Sequence, residues 1–137
     1  MKRVGTAVVA VLLTGAVASA QSYPGDTGSG VERGIQELNN SGAVGTVALY
    51  GRGWATRVLV VLHGVPDGPQ AAKIERGLDC DHMSSIQAYN LHDVRQGRSL
   101  STVQAPEPKL LSGNYNVVVF SSTAPGARPI ACGNLYS

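Results

Sequence analysis

Residues 55–62 read ATRVLVVL, and this stretch decides the fold class of the chain. It is rich in β-branched side chains, which favour strands, and successive side chains of a strand point to opposite faces. One of the two faces carries Arg57, whereas the other carries no charge. The pattern therefore predicts a strand whose uncharged face packs into the core. That face consists of Thr56, Val58, Val60 and Leu62.

Short runs of similar composition lie on both sides of this strand. They cover residues 43–50, 70–75, 85–91, 99–103, 115–121 and 129–136. Clusters of Gly, Pro, Asn and Asp separate them at intervals of about eight to twelve residues, a spacing typical of antiparallel sheets. The sequence therefore predicts an all-β fold, a sandwich or barrel of about eight antiparallel strands.

Residues 31–38 allow two interpretations. Val31, Ile35 and Leu38 have the spacing of one helical face. The next residues, 39–42, read NNSG, which is a turn signal and is equally typical of a strand that enters a hairpin. Both a helix and a strand remain open at this point.

The first twenty residues predict export. Lys2 and Arg3 precede an apolar run at 4–17, and the triplet Ala18-Ser19-Ala20 follows it, as in a signal peptide with its cleavage site. The run is shorter than the ~20 residues that a membrane-spanning helix needs, which argues against an anchor. We predict a signal peptide at 1–20, a flexible leader at 21–30 and one domain at 31–137, with no transmembrane segment after cleavage.

Charge and cysteine content narrow the classes of function. The chain has 11 Lys and Arg against 9 Asp and Glu, and two of the basic residues belong to the signal peptide. The exported domain is therefore near neutral, which excludes a basic surface for nucleic acid or an anionic membrane. Cys80 and Cys132 predict a disulfide in an oxidising compartment, with two free thiols as the alternative. Closing a loop of about fifty residues stabilises a fold by ~4 kcal/mol in the chain-entropy model.

Three segments resemble the copper/zinc superoxide dismutase-like family, whose members are secreted Greek-key sandwiches with one internal disulfide. The segments are 58–75 (VLVVLHGVPDGPQAAKIE), 111–121 (LSGNYNVVVFS) and 130–136 (IACGNLY). The resemblance implies a Greek-key strand order for this chain. It also implies that Cys132, in its Ala-Cys-Gly context, pairs with Cys80.

The chain departs from this family at the metal ligands. Where the family has a His-x-His pair, this chain has Lys73 and Glu75, and Phe120 occupies the position of a further copper-binding histidine. An ammonium group and a phenyl ring cannot replace the imidazoles that copper needs. Lys73 and Glu75 either form an ion pair at the former copper position or both point to solvent. The family's arginine position holds Pro129; Arg128 is one residue away, which turns it to the other face unless a bulge intervenes.

The remaining histidines allow a residual metal site. His82 and His92 flank the predicted strand 85–91, and the following loop could bring His92 and Asp93 towards His82. Such a site would take copper or zinc. The alternative is that these histidines and His63 are incidental surface residues.

These observations favour an exported, non-catalytic domain that serves as a structural or binding module of the cell envelope or surface. A fold alone confers no activity, and most of the copper ligands are missing. Such a module would need no cofactor and would act with an envelope or surface protein as partner. The alternative is a divergent copper-dependent superoxide dismutase that uses the surviving histidines.

Overall fold

The computed structural model describes residues 30–136, so the predicted signal peptide and residues 21–29 of the predicted leader lie outside the described part of the chain. Within it, eight β-strands and one helical turn form. The strands are β1 (Val31–Glu37), β2 (Val44–Arg52), β3 (Ala55–His63), β4 (Ala72–Gly77), β5 (Met83–Asn90), β6 (Arg98–Val103), β7 (Tyr115–Phe120) and β8 (Pro129–Asn134). The turn of helix, α1, spans Glu107–Leu110.

The strands form one antiparallel sheet in the order β5-β4-β7-β8-β1-β2-β3-β6. β3 pairs with β6 and β4 pairs with β7, so each of these pairings passes over two intervening strands. Such over-and-back connections are those of a Greek key. The sheet curls so that both of its halves contribute to one core. The prediction of an all-β fold with about eight antiparallel strands is confirmed, in the form of a curled half-barrel.

Residues 31–38 form a strand, not a helix. Residues 31–35 pair with β2, and residues 36 and 37 pair with β8, so β1 joins the two halves of the sheet. These pairings provide hydrogen-bond partners for the backbone N–H and C=O groups of β1. The local spacing of apolar residues carries no information about such distant partners. The chain then reverses through Asn39 and Asn40, both at a φ of 56°. Asparagine tolerates this left-handed conformation better than most residues.

The core confirms the prediction made from β3. Thr56, Val58 and Val60 are fully buried, and Leu62 is 3% exposed. The hydroxyl of Thr56 donates a hydrogen bond to the carbonyl oxygen of Ala105 at 2.7 Å, which satisfies the one polar group on this face. The core is built mainly from Val, Leu, Ile and Ala side chains.

Two local features differ from the sequence prediction. β4 begins at Ala72, because the backbone of Gln70 pairs with Val94 outside the strand. The buried Gln70 side chain donates from Nε2 to the carbonyl oxygen of Pro66 at 2.7 Å in the preceding turn. The helix α1 begins after Pro106 and buries Leu110, an element that no run of strand-forming residues indicates. Neither feature changes the strand order.

The disulfide Cys80–Cys132 is present, with 5.8 Å between the two Cα atoms. It closes a separation of 52 residues and joins β8 to the segment between β4 and β5. Cys132 is fully buried and packs with Cys80 and Val118 in a small apolar cluster separate from the main core. The predicted cysteine pairing is therefore confirmed.

Among residues 30–136, no helix has the length and apolar character to cross a membrane.

Candidate functional site

The candidate site lies on the outer face of β4, β7 and β8, the face turned away from the main core. Ile74, Val117 and Val119 point into the core. Because alternate residues of a strand point to opposite faces, Lys73 and Glu75 are directed to the outer face. The site therefore contains the positions at which the family resemblance implies copper ligands.

Lys73 and Phe120 come together on this face. The Lys73 ammonium nitrogen lies 5.2 Å from the centroid of the Phe120 ring, within the range of a cation–π interaction. Lys73 pairs with Val118 across β4 and β7, and Phe120 is the next residue of β7 on the same side. The strand pairing therefore places a positive charge over an aromatic ring at the edge of the site.

Glu75 lies deeper and is only 4% exposed. Its cross-strand neighbour on β7 is Asn116, which is fully buried. Among the described residues, Glu75 Oε1 and Asn116 Oδ1 both lack a hydrogen-bond partner. Burial raises the pKa of the Glu75 carboxyl above its usual 4.5, and the positive charge of Lys73 partly opposes this shift.

The sequence allows two alternatives for Lys73 and Glu75, an ion pair or two side chains that point to solvent. Neither alternative describes the observed arrangement. The alternative in which both point to solvent is wrong for Glu75, which is buried. Among the described residues, no salt bridge joins Lys73 to Glu75, and the Lys73 ammonium group lies against Phe120. The reason is the strand register, which sets Asn116 opposite Glu75 and brings Phe120 beside Lys73.

The segment 77–82 covers Asn116. The backbone N–H of Gly77 donates to the carbonyl oxygen of Asn114 at 3.1 Å, and the Asn116 side-chain amide donates to the carbonyl oxygen of Asp79 at 3.4 Å. The Cys80 N–H donates to Asn134 Oδ1 at 3.0 Å, next to the disulfide. These contacts and the Cys80–Cys132 bond hold the covering segment on the outer face.

A cleft of about 240 Å³ opens beside Lys73 and Phe120. Its other wall is the loop 122–127, which follows β7. This loop is shaped by its own hydrogen bonds: the Ala124 N–H donates to Ser122 Oγ at 3.1 Å, and the Ala127 N–H donates to the Ala124 carbonyl oxygen at 3.2 Å. The cleft is therefore built from a strand on one side and an ordered turn on the other.

The structure does not bring the three predicted residual metal ligands together. His82 precedes β5, whereas His92 and Asp93 follow it. At ~3.3 Å per residue, a strand of this length spans roughly 25 Å. Among residues 30–136, no group of three or more His, Cys, Asp or Glu side chains is arranged to hold a metal ion. Metal binding by these residues stays a prediction.

His82 has a defined partner nonetheless. Its Nδ1 lies 2.8 Å from Asp79 Oδ1; the His82 side chain is exposed and the Asp79 side chain is half-buried. This hydrogen bond raises the pKa of His82 and lowers the pKa of Asp79. Asp93 instead lies 3.7 Å from the guanidinium group of Arg95.

The sequence predicts that Arg128 faces away from the site unless a β-bulge intervenes. Such a bulge is present between β7 and β8. β7 and β8 pair Val119 with Ala131 and Phe120 with Pro129, so Ile130 is an extra residue in β8. A bulge of this kind redirects the side chains on one side of it. The Arg128 carbonyl oxygen accepts a hydrogen bond from the Ser121 N–H at 2.8 Å, and its side chain is exposed.

Sequence reasoning missed two residues of the site, Asn116 and Asn134. Both lie on the outer face, where they contact the covering segment. A signal was available for Asn116, because β7 reads YNVVVF and asparagine is disfavoured within strands. A polar residue inside such a Val-rich strand predicts a specific hydrogen-bonding role.

Comparisons of this chain with models of protein families, with curated proteins and with solved structures find no significant match.

Proposed function

We propose that this chain is an exported, superoxide dismutase-like domain that has lost its copper site and serves as a non-catalytic binding module of the cell envelope or surface. The observation that carries the proposal is the packing at the former copper positions. There, Lys73 lies over Phe120 and Glu75 is buried beside Asn116. This packing occupies the outer face without the imidazoles that such a copper site needs.

Two features of the fold support the likeness on which the proposal depends. The Greek-key connections and the Cys80–Cys132 bond are both properties that the resemblance implies. The disulfide also supports export, because such bonds persist in oxidising compartments. The proposed location outside the cytoplasm follows from the predicted signal peptide and from this bond together.

One observation favours the second candidate, a divergent copper-dependent superoxide dismutase. Asp79 engages Nδ1 of His82, which orients the ring and leaves Nε2 available. Metal-binding histidines are commonly oriented by a carboxylate in this way. That activity would require the loop after β5 to carry His92 and Asp93 to His82.

Metal analysis of the mature protein distinguishes the two candidates. The protein is loaded with copper and zinc, dialysed, and assayed for metal content and for superoxide dismutation. We expect neither stoichiometric metal nor activity above that of the unloaded protein. Stoichiometric copper with dismutase activity, both lost in a His82→Ala/His92→Ala variant, would overturn the proposal and establish the second candidate.

A further inference from the structure

The cleft beside Lys73 contains one charged group. Its described lining comprises Lys73, Phe120, Ala71 and the loop 122–127, and Lys73 alone among them is charged. The ring of Phe120 lies under the ammonium group and supports it without neutralising its charge. The net charge at the cleft also depends on Glu75, two residues along β4, because its carboxyl group interacts electrostatically with Lys73.

The surroundings of Glu75 favour its protonated form. Glu75 Oε1 and Asn116 Oδ1 are both buried acceptors that lack a donor, and they belong to residues directly opposite each other on β4 and β7. One proton on the carboxyl converts Glu75 into a donor and satisfies both oxygens. An ionised carboxylate would leave a buried charge beside a second unpaired acceptor, which is costly.

The other groups around Glu75 do not change this conclusion. Its cross-strand neighbours, Asn116 on β7 and Gln87 on β5, are neutral. On β8, Cys132 is in the disulfide and Asn134 is neutral. The covering segment contributes Asp79, Asp81 and His82, of which Asp79 and His82 engage each other. Lys73 on β4 itself favours ionisation, but its effect is smaller than that of burial.

We propose that the cleft between β4 and the loop 122–127 binds a small organic carboxylate, which the ammonium group of Lys73 recognises. A protonated Glu75 leaves the Lys73 charge uncompensated, and an anion in the cleft would supply the missing partner. The inference deepens the proposed function and rests on it, because a copper ion on this face would compete for the same space.

The lining favours a carboxylate over a phosphate. A carboxylate brings one negative charge, which matches the single ammonium group, whereas phosphate brings more than one at neutral pH. The hydroxyl groups of Ser122 and Thr123 are polar groups that line the same cleft. Phe120, Pro125 and the alanines of the lining offer an apolar surface to a short hydrocarbon tail.

The test is a titration of metal-free mature protein with butyrate, followed by amide chemical shifts in NMR spectra. We expect saturable shifts in residues 122–127. The Lys73→Gln variant should bind at least about tenfold more weakly, because it loses a charge-assisted interaction. Lys109→Gln is the matched control, because Lys109 is an exposed lysine on α1, and it should bind as the original protein does.

A second arm uses pH and does not depend on the folding of the Lys73 variant. Above about pH 6 an aliphatic carboxylate is ionised. Where butyrate is ionised, loss of the Glu75 proton with rising pH neutralises Lys73, so butyrate affinity should fall in that direction. The Glu75→Gln variant keeps a neutral side chain and should lose this part of the pH dependence.

Three results would overturn the inference: no saturable shift, equal affinity in a folded Lys73→Gln variant, or tighter binding of inorganic phosphate than of butyrate. Copper and zinc uptake is measured on a separate portion of the same preparation. Failure of butyrate binding without metal uptake rejects this inference alone. Stoichiometric copper uptake with dismutase activity rejects the proposed function, whatever the butyrate result.

Discussion

At the level of single residues, the energetics of the outer face centre on Glu75 and Asn116. Each presents a buried oxygen without a donor, and they are cross-strand neighbours. Burial raises the pKa of Glu75, so the folded state binds its proton more tightly than the unfolded chain does. The stability that depends on this proton is complete below the unfolded pKa and is lost as the pH rises through the folded pKa.

Replacing Glu75 tests this directly. In the Glu75→Gln variant, the side-chain amide donates to Asn116 Oδ1 at every pH, so the decline in stability that begins near pH 4.5 should be reduced. Urea denaturation at a series of pH values measures the difference. Glu32→Gln, at an exposed position on β1, should keep the decline of the original protein. Parallel stability curves for the original protein and Glu75→Gln above pH 4.5 would contradict the prediction.

The residues of the site could be located from sequence only in part. The resemblance marked Lys73, Glu75 and Phe120 as one group of positions, and the strand pairing does place them on one face. It could not say that Glu75 is buried or that Asn116 is its neighbour. Those facts depend on the register between β4 and β7, which are separated in the chain by β5, β6 and α1.

At the level of elements, the connection from β4 to β5 is built around close contact at Gly77. A Cβ atom at this position would lie 2.8 Å from Asn116 Nδ2 and 3.0 Å from the carbonyl oxygen of His82. The covering segment would therefore have to shift away from the outer face. Glycine is required here for space and not for an unusual φ.

The Gly77→Ala variant should be destabilised by about 1–3 kcal/mol, the range for forcing extra atoms into a packed site. Gly34→Ala on β1 is the matched control, because no atom lies within 4 Å of its added Cβ. Denaturant unfolding of the two variants measures the contrast. Equal stabilities of the two variants would contradict this prediction, because the segment 77–82 would then move aside with no loss of unfolding free energy.

The strands themselves were the most predictable part of the fold. β2, β3, β6 and β7 were located to within about two residues, because alternation and turn signals are local properties. β1 was ambiguous because its partners lie on two different strands. The start of β4 was two residues off, because Gln70 pairs its backbone with Val94 outside the strand, a partner that its neighbours in sequence do not indicate.

At the level of the whole molecule, the disulfide connects the outer face to the curled sheet. It joins the covering segment to β8, which lies between β7 and β1 in the middle of the sheet. Its loop is long, so its removal releases much of the unfolded chain from constraint. The strand order could not be predicted from composition, because it depends on pairings between strands that lie far apart in the sequence, such as β1 with β8 and β3 with β6.

Removing the disulfide should lower the free energy of unfolding by ~4 kcal/mol in the Cys80→Ala/Cys132→Ala variant, in the chain-entropy model. Urea denaturation of the two proteins measures this difference. The hydrogen exchange of the backbone amides at positions 77 and 80 should also accelerate in the variant, because both donate in the covering segment. An unchanged unfolding free energy would mean that the bond strains the folded state as much as it restricts the unfolded one.

We propose that the outer face corresponds to a superoxide dismutase-like metal site whose ligands have been replaced. Restoring the imidazoles in a Lys73→His/Glu75→His/Phe120→His variant tests it most directly, with copper content measured after loading and dialysis. We expect no retained copper in the original protein and about one copper per chain in the variant, since three converging imidazoles suit Cu(II). Stoichiometric copper in the original protein, or none in a folded variant, would contradict it.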